Sequence, residues 1–429
     1  MFIHLDLDCF FVSAHRTIDK SLENIPVAVG GRSNLNIFST AKEVRKISES
    51  SGAFVSTILT NEGEKSFQEY FVDENGRIRG IITTSSYEAR SYGVKTAMSV
   101  NEALKLCPKL KMVPPNYPLY HELSQKLLKL LELEIPLVEQ FSIDEFFGDL
   151  SGYIKESEVV EFAYNLKRKI EKELKLPISI GIANTKFLSK LITEYAKPDG
   201  VKYVKKEHMK NFTRNIPIEE FPGIGKAYQI RLKGYGIKTL GDIEKKKELF
   251  YSWKKPGIEL YNRVCGINDN QIIQHRDKKS IGIGRTFDKI YERNELLRRV
   301  IILSRYLCFL VKKADVNPLT YAIKIKYESN TKSKNYVNVN RIFNEEDFKF
   351  NMKKLFLQND IHPSHGVVQL NLTVSHFTKP KEFTYNIFEY ESDLKKRELS
   401  NKLQSLRDKF GIDIIKSASE LEEKSPKKK

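Results

Sequence analysis

The sequence predicts a multidomain protein in which an α/β region is joined to a separate, smaller α+β region. Three observations support this prediction. The chain has 429 residues, which is too long for one hydrophobic core and indicates about three domains. Residues 1–205 alternate apolar strands with amphipathic helices in both βα and ββ steps, the pattern of a mixed sheet. Residues 281–376 follow the order β-α-β-β-α-β, which is typical of a small α+β sandwich.

The α/β region begins with an apolar strand, FIHLDLDCFF, that two carboxylates interrupt. A second strand, IPVAVGG, ends at Gly31, and a mixed stretch at 32–79 leads into the strand IRGIITTSS. Helices and strands then alternate as far as residue 195. We predict helices at about 99–107, 121–134, 156–174 and 185–195, a strand pair within 138–152, and a strand at 178–183.

Short helical segments fill residues 206–272, and a basic connector at 273–280 leads into the α+β region. Residues 377–429 form a predicted tail that contains one charged helix and a Lys-rich end. Within the α+β region we expect strands at 281–287, 319–328, 335–341 and 367–376, and helices at 294–313 and 345–358.

The charge balance of the chain favours a polyanionic partner. Lys and Arg number 72 and Asp and Glu number 55, which leaves a net charge of +17. Nucleic acid is the first candidate for such a partner and an anionic membrane surface the second. No stretch approaches the roughly 18 apolar residues of a membrane span, and MFIHLDLDCF lacks the basic and then apolar run of a signal peptide.

The cysteines predict a reducing compartment. Cys9, Cys107, Cys265 and Cys308 lie far apart and show no paired metal-ligand spacing. Neither a structural zinc site nor a disulfide framework is therefore expected. Together with the absence of a signal sequence, these thiols predict a cytoplasmic protein without a membrane partner.

Two predicted strands carry acidic residues inside apolar surroundings. Asp6 and Asp8 interrupt HLDLDCFF, and Asp144 and Glu145 interrupt QFSIDEFFGDL. An unpaired charge in a buried strand costs several kcal/mol, so such acids need a cation. Divalent metal ions meet that need, and two of them could activate an attacking oxygen and stabilise a leaving pyrophosphate. The alternative is that the acids lie at strand ends, exposed or salt-bridged.

At these residues the sequence resembles the Y-family DNA polymerases, and within them the bacterial DinB or polymerase IV branch. The motifs occur in the family's order and extend to about residue 376: DLDCFFVS, IPVAVGG, SSYEARSYGVKTAMS, SIDEFFGDLSG, SIGIANTKFLSKLITEYAKPDG, FPGIGKAYQIRLKGYGIKTLGDI and KSIGIGRTF. The resemblance implies a right-hand polymerase. Its domains would be a palm (1–16 and 117–205), fingers (17–116), a thumb (206–272), a linker (273–280), a little finger (281–376) and a tail (377–429).

The resemblance also implies template-directed DNA synthesis past damaged DNA. The reaction would use deoxynucleoside triphosphates, a primer-template and two Mg²⁺ ions, with low fidelity, distributive synthesis and no proofreading exonuclease. Asp6, Asp144 and Glu145 match the family's catalytic and metal-binding carboxylates, and the carbonyl of Leu7 would be a further metal ligand. Asp8 matches an acid that supports the structure.

Further residues match the family's nucleotide contacts. Tyr87 and Arg90, three residues apart in YEAR, would hold the triphosphate together with Lys197 of AKPDG. Without the resemblance, an exposed helix with a Tyr–Arg pair is the commoner explanation of YEAR. Asp199 and Gly200 would form a turn, and Lys186 is interpreted as a surface or phosphate-backbone lysine. The nucleotide pocket would also include Phe10, although an aromatic residue in a strand usually belongs to the core. Phe11 matches the steric gate, a ring under the sugar that a 2′-hydroxyl would strike.

DNA would be held by two features. Gly223 and Gly225, followed by Lys226, resemble the first turn of a helix-hairpin-helix, which binds the phosphate backbone without reading bases. A glycine helix cap is the plainer interpretation of the same residues. Residues 281–376 contain 16 basic and nine acidic side chains, a net charge of +7, which suits non-specific phosphate binding or a solvated charged face.

Two features depart from the family pattern. The stretch at 32–79 contains seven basic and seven acidic residues, and its neutrality predicts an exposed insertion or a protein-contact element. A sliding-clamp peptide is expected in the tail, where residues 384–388 (TYNIF) keep the apolar end but lack the usual Gln; clamp binding is left open.

Two other functional classes fit part of the pattern. A two-metal nuclease would have no use for a sugar gate, Arg90 or Lys197. A catalytically inactive DNA-binding accessory protein would not need intact Asp6, Asp144 and Glu145. The sequence therefore favours a DNA-directed DNA polymerase.

Overall fold

A computed structural model describes residues 1–33, 35–38, 46–47, 58–59, 62–267, 271–275, 277–378 and 388–421. Within these ranges the chain forms two compact units. The first contains residues 1–31 and 62–275, and the second contains residues 277–421 together with 32–33, 35–38, 46–47 and 58–59. None of the helices in these ranges is both long and apolar enough to cross a membrane.

Strands and helices are numbered in chain order over the described residues. The strands are β1 Phe2–Leu7, β2 Val27–Gly31, β3 Lys46–Ile47, β4 Ile58–Leu59, β5 Ile81–Ser85, β6 Lys111–Val113, β7 Leu137–Gln140, β8 Glu145–Asp149, β9 Ile178–Ala183, β10 Val201–Tyr203, β11 Ser280–Ile290, β12 Asn317–Tyr327, β13 Lys332–Asn338 and β14 Val367–Thr378. The helices are α1 Phe10–Ile18, α2 Phe67–Phe71, α3 Tyr87–Ser91, α4 Val100–Leu106, α5 Tyr117–Glu134, α6 Val159–Leu174, α7 Lys186–Glu194, α8 Lys206–Thr213, α9 Lys226–Gly234, α10 Leu240–Glu244, α11 Lys247–Ser252, α12 Lys254–Val264, α13 Arg293–Lys313, α14 Glu345–Asn359 and α15 Tyr390–Phe410.

A five-stranded sheet of order β10-β9-β1-β8-β7 forms the centre of the first unit. Strand β1 lies between β8 and β9 and runs antiparallel to both. Its alternating side chains point to opposite faces: Ile3 and Leu5 join the core formed with α5 and α6, whereas His4 bonds to Thr193 of α7. Helix α7 lies close against β9, and the lack of a side chain at Gly181 permits this approach. A Cβ at that position would lie only 2.3 Å from the carbonyl oxygen of Ser189.

The predicted first strand is shorter than its apolar run suggested. Strand β1 ends at Leu7, and Cys9 takes a left-handed conformation with φ of 47° before α1 begins at Phe10. The prediction that FIHLDLDCFF is one strand is therefore wrong at its end. Phe10 and Phe11 belong to a helix, and the turn at Cys9 redirects the chain immediately after the acids.

A three-stranded sheet of order β5-β2-β6 forms a second layer of the first unit. Its core includes Tyr70 and Phe71 of α2, and Phe71 is fully buried against Gly30 of β2. The prediction that 32–79 is an exposed insertion is wrong for these residues. The prediction relied on a count of charged residues, but the aromatic side chains bury this part of the insertion.

The helices α8 to α12 form a third group in the first unit. Their buried residues make one cluster with the apolar side of α7; its members from the helical group include Leu232, Leu240, Phe250 and Leu260. The segments that flank α9 are therefore positioned by a packed core, although the helices themselves are short.

The second unit is an antiparallel sheet of order β11-β14-β12-β13, with α13 and α14 packed on it. Ile37 and Phe38 of the insertion also lie in its core. The backbone N–H of Thr286 donates to Ser33 Oγ at 3.1 Å, and Arg298 donates to the carbonyl oxygen of Phe38 at 3.1 Å. This second part of the insertion is also not an exposed element.

The predicted tail does not separate from the second unit. Ile412 is buried in its core, Arg407 pairs with Glu345, and Arg305 donates to Glu420 at 2.6 Å. The boundary predicted at residue 376 therefore does not divide compact units in the described part of the chain. The tail is held by contacts with residues that are distant in sequence, and a local sequence pattern cannot predict such contacts.

Candidate active site

Pairing of β1 with β8 brings the predicted metal ligands together at one end of the central sheet. Asp6 lies directly opposite Glu145 in the antiparallel register. The N–H of Leu7 donates to the carbonyl oxygen of Asp144 at 3.0 Å, just before β8 begins. Two acids distant in sequence thus become neighbours, because the hairpin of β7 and β8 pairs with the N-terminal strand.

Side chains with hydrogen-bond donors contact each acid. Lys197 Nζ donates to Asp6 Oδ2 at 2.8 Å, Lys190 donates to Glu145, and Ser142 donates to Asp144. Lys190 lies on α7, and Lys197 lies in the turn between α7 and β10. The sheet therefore supplies the negative charges, and one helix with its following turn supplies the positive ones.

Burial dominates the electrostatics of these acids. It raises the pKa of Asp6 to about 7, although Lys197 opposes the shift and Asp144 and Glu145 add to it. Burial likewise raises the pKa of Asp144. The pKa of Lys197 is raised, since Asp6 and Glu194 outweigh the lowering effect of burial.

The donor set fits a divalent cation of the Mg²⁺ type. Asp6, Asp144 and Glu145 offer the carboxylate oxygens that Mg²⁺ prefers, and the carbonyl of Leu7 is the predicted further ligand. No group of three or more His, Cys, Asp or Glu side chains in the described ranges is already arranged around one point. An ion would compete with Lys190 and Lys197 for the same oxygens.

Asp8 has a different environment from Asp6. It accepts hydrogen bonds from Tyr87 Oη at 2.8 Å, from Ser179 Oγ at 2.7 Å and from the N–H of Asp199 at 2.8 Å. Its side chain ties the end of β1 to α3, β9 and the turn before β10. These contacts agree with the interpretation of Asp8 as a supporting acid and of Asp199 as a turn residue.

Helix α3 carries the predicted triphosphate contacts next to this site. Ser86 caps the helix by accepting from the N–H of Ala89. Arg90 is exposed, its guanidinium lies 4.8 Å from the centre of the Tyr87 ring, and its Nε donates to the carbonyl oxygen of Ser85 at 3.1 Å. The contact of Tyr87 with Asp8 links this helix to β1.

Phe10 and Phe11 are both buried at the start of α1. The Phe11 ring stacks on Tyr120 of α5, with centroids 4.3 Å apart and planes inclined by 13°. Tyr120 is fully buried and its hydroxyl contacts His15 Nε2 at 2.8 Å. Stacking fixes the plane of Phe11, whose role as a gate stays a prediction. Only the fold identifies Tyr120, since the sequence does not show which residue of α5 meets Phe11.

The predicted helix-hairpin-helix has open surroundings at its first turn. Gly223 has φ of +100°, which a residue with a side chain rarely adopts. Gly225 is the N-cap of α9, and Lys226 is exposed. A Cβ at either glycine would meet no atom within 4 Å, so a ligand backbone has room to approach. Contact with DNA at this turn stays a prediction.

Lysines cluster on one face of the sheet of the second unit. Lys324 of β12 lies directly opposite Lys334 of β13, and Lys326 lies opposite Lys332. The intervening residues Ile323 and Ile325 point to the buried face. Like charges that face each other across two strands are destabilising. Sequence reasoning found the net charge of this region but missed the pairing, because register depends on tertiary contacts.

The interpretation of Lys186 as a surface or phosphate lysine is wrong. It is 4% exposed and pairs with Glu139 of β7. The same carboxylate accepts the N–H of Ile273 at 2.8 Å. Its neighbour Lys190, which sequence reasoning did not select, is the lysine that contacts Glu145.

Comparisons with known proteins agree with this geometry. Residues 5–194 match the model of the impB/mucB/samB family. The chain is 30% identical to the DNA polymerase IV of Oceanobacillus iheyensis, over 96% of this chain and 90% of that one. It is 28% identical to the DNA polymerase IV of Bacillus cereus, over 99% and 94% of the two chains.

Solved structures support the fold. A Y-family DNA polymerase chimera of Dbh and Dpo4 has a TM-score of 0.71 at 20% identity and covers 88% of this chain and 99% of its own. The DinB of Sulfolobus solfataricus has a TM-score of 0.53 at 19% identity, with the same coverage. The match to the family model and the identity to DNA polymerase IV over nearly the whole chain show that this chain belongs to the polymerase IV branch of the Y-family DNA polymerases.

Proposed function

We propose that the site formed by Asp6, Leu7, Asp144 and Glu145 carries the DNA-directed DNA polymerase activity of this family member. The single observation that carries the proposal is the register that places Asp6 opposite Glu145 beside Asp144. The activity is template-directed, low-fidelity transfer of deoxynucleotides to a primer 3′ end, with bypass of lesions. The alternative of an inactive accessory protein is not favoured, because the three acids are intact and gathered.

Two Mg²⁺ ions held by these acids would supply the activation of the attacking oxygen and the stabilisation of the leaving pyrophosphate. The residues of the chain do the rest. Asp6, Asp144 and Glu145 hold negative charge at the end of β1 and β8. The helix α7 and the turn that follows it keep Lys190 and Lys197 close to that charge.

The triphosphate would bind between the acids and α3. Arg90 is exposed and carries the planar donor fork that phosphate oxygens accept. Lys197 Nζ, at present on Asp6 and on Glu194, is a second cation for the β- and γ-phosphates. Tyr87 is anchored through Asp8, which orients α3 relative to β1. These three residues form the proposed phosphate contacts.

Sugar selection is proposed for Phe11. Its ring is held by the stack on Tyr120, so it would not yield readily to a 2′-hydroxyl. Phe10 is 2% exposed, and its contribution to the nucleotide pocket is proposed to be the packing behind Phe11. A held ring excludes by collision, which requires no favourable contact with the deoxyribose.

Two surfaces are proposed to bind the primer-template. The turn at Gly223 and Gly225, with Lys226, would bind phosphates through backbone N–H groups at the start of α9. The face with Lys324, Lys326, Lys332 and Lys334 would bind the duplex backbone without reading the base sequence. A cytoplasmic location is part of this proposal.

A sliding clamp is the remaining proposed partner. The candidate peptide is 384–388, of which 384–387 lie outside the described residues. Its lack of the usual Gln leaves the proposal resting on the apolar residues alone.

Primer extension with four deoxynucleoside triphosphates tests the proposed function. Extension should require Mg²⁺ and should follow the template. A protein that binds primer-template but extends no primer would support the accessory-protein alternative, and cleavage of the DNA would support a nuclease.

A further inference from the structure

A small cleft in the second unit contains two basic side chains in unusual surroundings. It has a volume of about 250 Å³ and lies where α15 packs beside the end of α13 and the start of β12. Lys312 of α13 and Arg397 of α15 line it, together with Asn317, Phe343, Asn401 and Gln404. The cleft exists because the C-terminal helix docks on the unit.

Neither Lys312 nor Arg397 has a carboxylate within ion-pair distance among the described residues. Lys312 Nζ donates to the amide oxygen of Asn401 at 2.9 Å and lies 6.0 Å from the centre of the Phe343 ring. No hydrogen bond or ion pair engages the Arg397 side chain within the described part of the chain. Both side chains are half-buried, so their charges are only partly hydrated.

Other half-buried or buried cations on the same helices are neutralised. Arg305 of α13 donates to Glu420 at 2.6 Å, and Lys396, next to Arg397 on α15, pairs with Asp347 at 2.7 Å. Such pairing is the normal solution for a cation removed from water. Lys312 and Arg397 depart from this solution although suitable acids are frequent in the unit.

The two cations also repel each other. Burial lowers the pKa of Lys312, and Arg397 lowers it further, to about 8. Asp315 lines the same cleft and acts in the opposite direction, but it is exposed. The cleft therefore has a net charge of +1 from these three residues, with the positive charge on its less exposed side.

We propose that this cleft binds one phosphate group, held by the guanidinium of Arg397 and the ammonium of Lys312. A guanidinium offers a planar fork of donors and an ammonium a point charge, a combination suited to phosphate oxygens. The volume is below the 300–1,000 Å³ of usual small-molecule sites, which limits the occupant to phosphate, pyrophosphate or one phosphate of a longer molecule. Asn401, whose amide oxygen accepts from Lys312, lines the same cleft.

Binding would connect two elements of the fold. Lys312 belongs to α13 and Arg397 to α15. A phosphate between them would bind both cations and offset their mutual repulsion. The helix α15 would then be held more firmly against the unit. The site is chemically independent of the polymerase reaction, since none of its residues takes part in the proposed active site.

The experiment uses the full-length chain and inorganic phosphate or pyrophosphate as the probe, with chloride at equal ionic strength as the reference. We expect phosphate at millimolar concentrations to raise the melting temperature more than chloride does. Line broadening of the ³¹P signal measures binding directly. Arg397→Met should weaken binding by roughly tenfold or more, because it removes the fork of donors.

Matched variants separate this site from general attraction to a basic protein. Lys312→Met should weaken phosphate binding as Arg397→Met does, and both should fold normally, since each relieves repulsion. Lys402→Met, which removes an exposed lysine of α15 that pairs with Glu398, should leave the phosphate response unchanged. Equal phosphate responses in wild type, Arg397→Met and Lys402→Met would overturn the proposal.

A second arm identifies the source of the phosphate. A short single-stranded oligonucleotide should displace inorganic phosphate, and should do so less well in Arg397→Met, if the site takes a phosphate of nucleic acid. An oligonucleotide without effect on the ³¹P signal assigns the site to free phosphate or pyrophosphate. If wild type shows no ³¹P broadening with either anion, the cleft is not a phosphate site.

Discussion

Two regions of the molecule place like charges side by side: the palm site, with Asp6, Asp144 and Glu145, and the lysine face of the second unit, with Lys324, Lys326, Lys332 and Lys334. They differ in whether an opposite charge pairs with each of these side chains. Asp6 and Glu145 are opposite each other, and each is paired with its own lysine. Lys324 and Lys334 are also opposite each other, yet in the described part of the chain neither has an acid within ion-pair distance.

The difference follows from what each region has to do. The proposed transfer of a nucleotide requires charges in fixed positions, and the acids are contacted by Lys190 on α7 and by Lys197 in the turn that follows it. The proposed binding of a duplex that slides during synthesis requires charge without a fixed position, which the lysines of β12 and β13 would provide. In the proposed function, compensated charge thus accompanies chemistry, and uncompensated charge accompanies DNA binding.

The largest effect should come from the palm. Replacing Asp144 or Glu145 by Ala should reduce primer extension by about 10³-fold or more, because loss of a metal-binding carboxylate removes several kcal/mol of transition-state stabilisation. Binding of primer-template, measured by fluorescence anisotropy, should stay near wild type. Asp149→Asn, at the far end of the same strand, is the control and should remain active; normal extension by Asp144→Ala would refute the assignment.

The next effect concerns Phe11. Phe11→Ala should raise ribonucleotide insertion by one to several orders of magnitude while deoxynucleotide insertion falls modestly, since the collision with the 2′-hydroxyl is removed. Single-nucleotide insertion kinetics with both sugars measure it. Phe10→Ala is the matched control: it should lower the free energy of unfolding by about 3–5 kcal/mol and affect both sugars alike. If Phe11→Ala behaves as Phe10→Ala does, Phe11 is a core residue only.

A smaller, graded effect is expected on the lysine face. Replacing Lys324 and Lys334 by Gln should weaken primer-template binding several-fold and reduce the slope of log affinity against log salt by about 0.9 for each lost phosphate contact. Single-turnover extension at saturating DNA should change little. Lys353→Gln with Lys354→Gln, two exposed lysines on α14, provides the control with equal charge loss. If both double variants have the same slope of log affinity against log salt, the lysine face does not contact DNA and is only a solvated surface.

The smallest effect tests whether the pairing of a buried carboxylate, Glu420, with basic side chains stabilises the fold of the second unit. Burial raises the pKa of Glu420, but Arg305 and Lys349 lower it more, so the net pKa lies below its usual value. Stability from this carboxylate is therefore present above its unfolded pKa of about 4.3 and is lost as pH falls through the lower folded value. Thermal melting from about pH 5 down to about pH 2 measures the loss, and Glu420→Gln should show a shallower decrease. An unchanged pH dependence in that variant would contradict the role of the pair.

Much of the candidate site could be predicted because local chemistry marks it. Acids inside apolar strands are costly unless a cation offsets them, and this argument singled out Asp6, Asp8, Asp144 and Glu145. The resemblance to the family then selected Asp6, Asp144 and Glu145 as the metal ligands. Gly223 was found because Gly223, Gly225 and Lys226 resemble the first turn of a helix-hairpin-helix, and the structure adds a φ of +100° at Gly223, which glycine adopts readily. Family motifs in the correct order then related these residues to a polymerase.

The remaining features depend on contacts between residues distant in sequence. The periodicity of α7 does not distinguish Lys186, buried against Glu139, from Lys190, which contacts Glu145. The charge count of the insertion suggested exposure, but Phe71 packs in the first unit and Phe38 in the second. Aromatic burial is decided by the partner that the fold provides.

The sequence by itself determined the family, the acidic residues of the palm and the order β-α-β-β-α-β in the second unit, because these depend on residue chemistry and short-range periodicity. Tertiary structure decided which lysine meets which acid, which aromatic ring supports Phe11, and which lysines face each other across β12 and β13. It also placed the C-terminal helix on the second unit and so formed the cleft of Lys312 and Arg397. Strand register and helix docking are properties of the packed chain, since each is selected by surfaces that only the folded protein brings together.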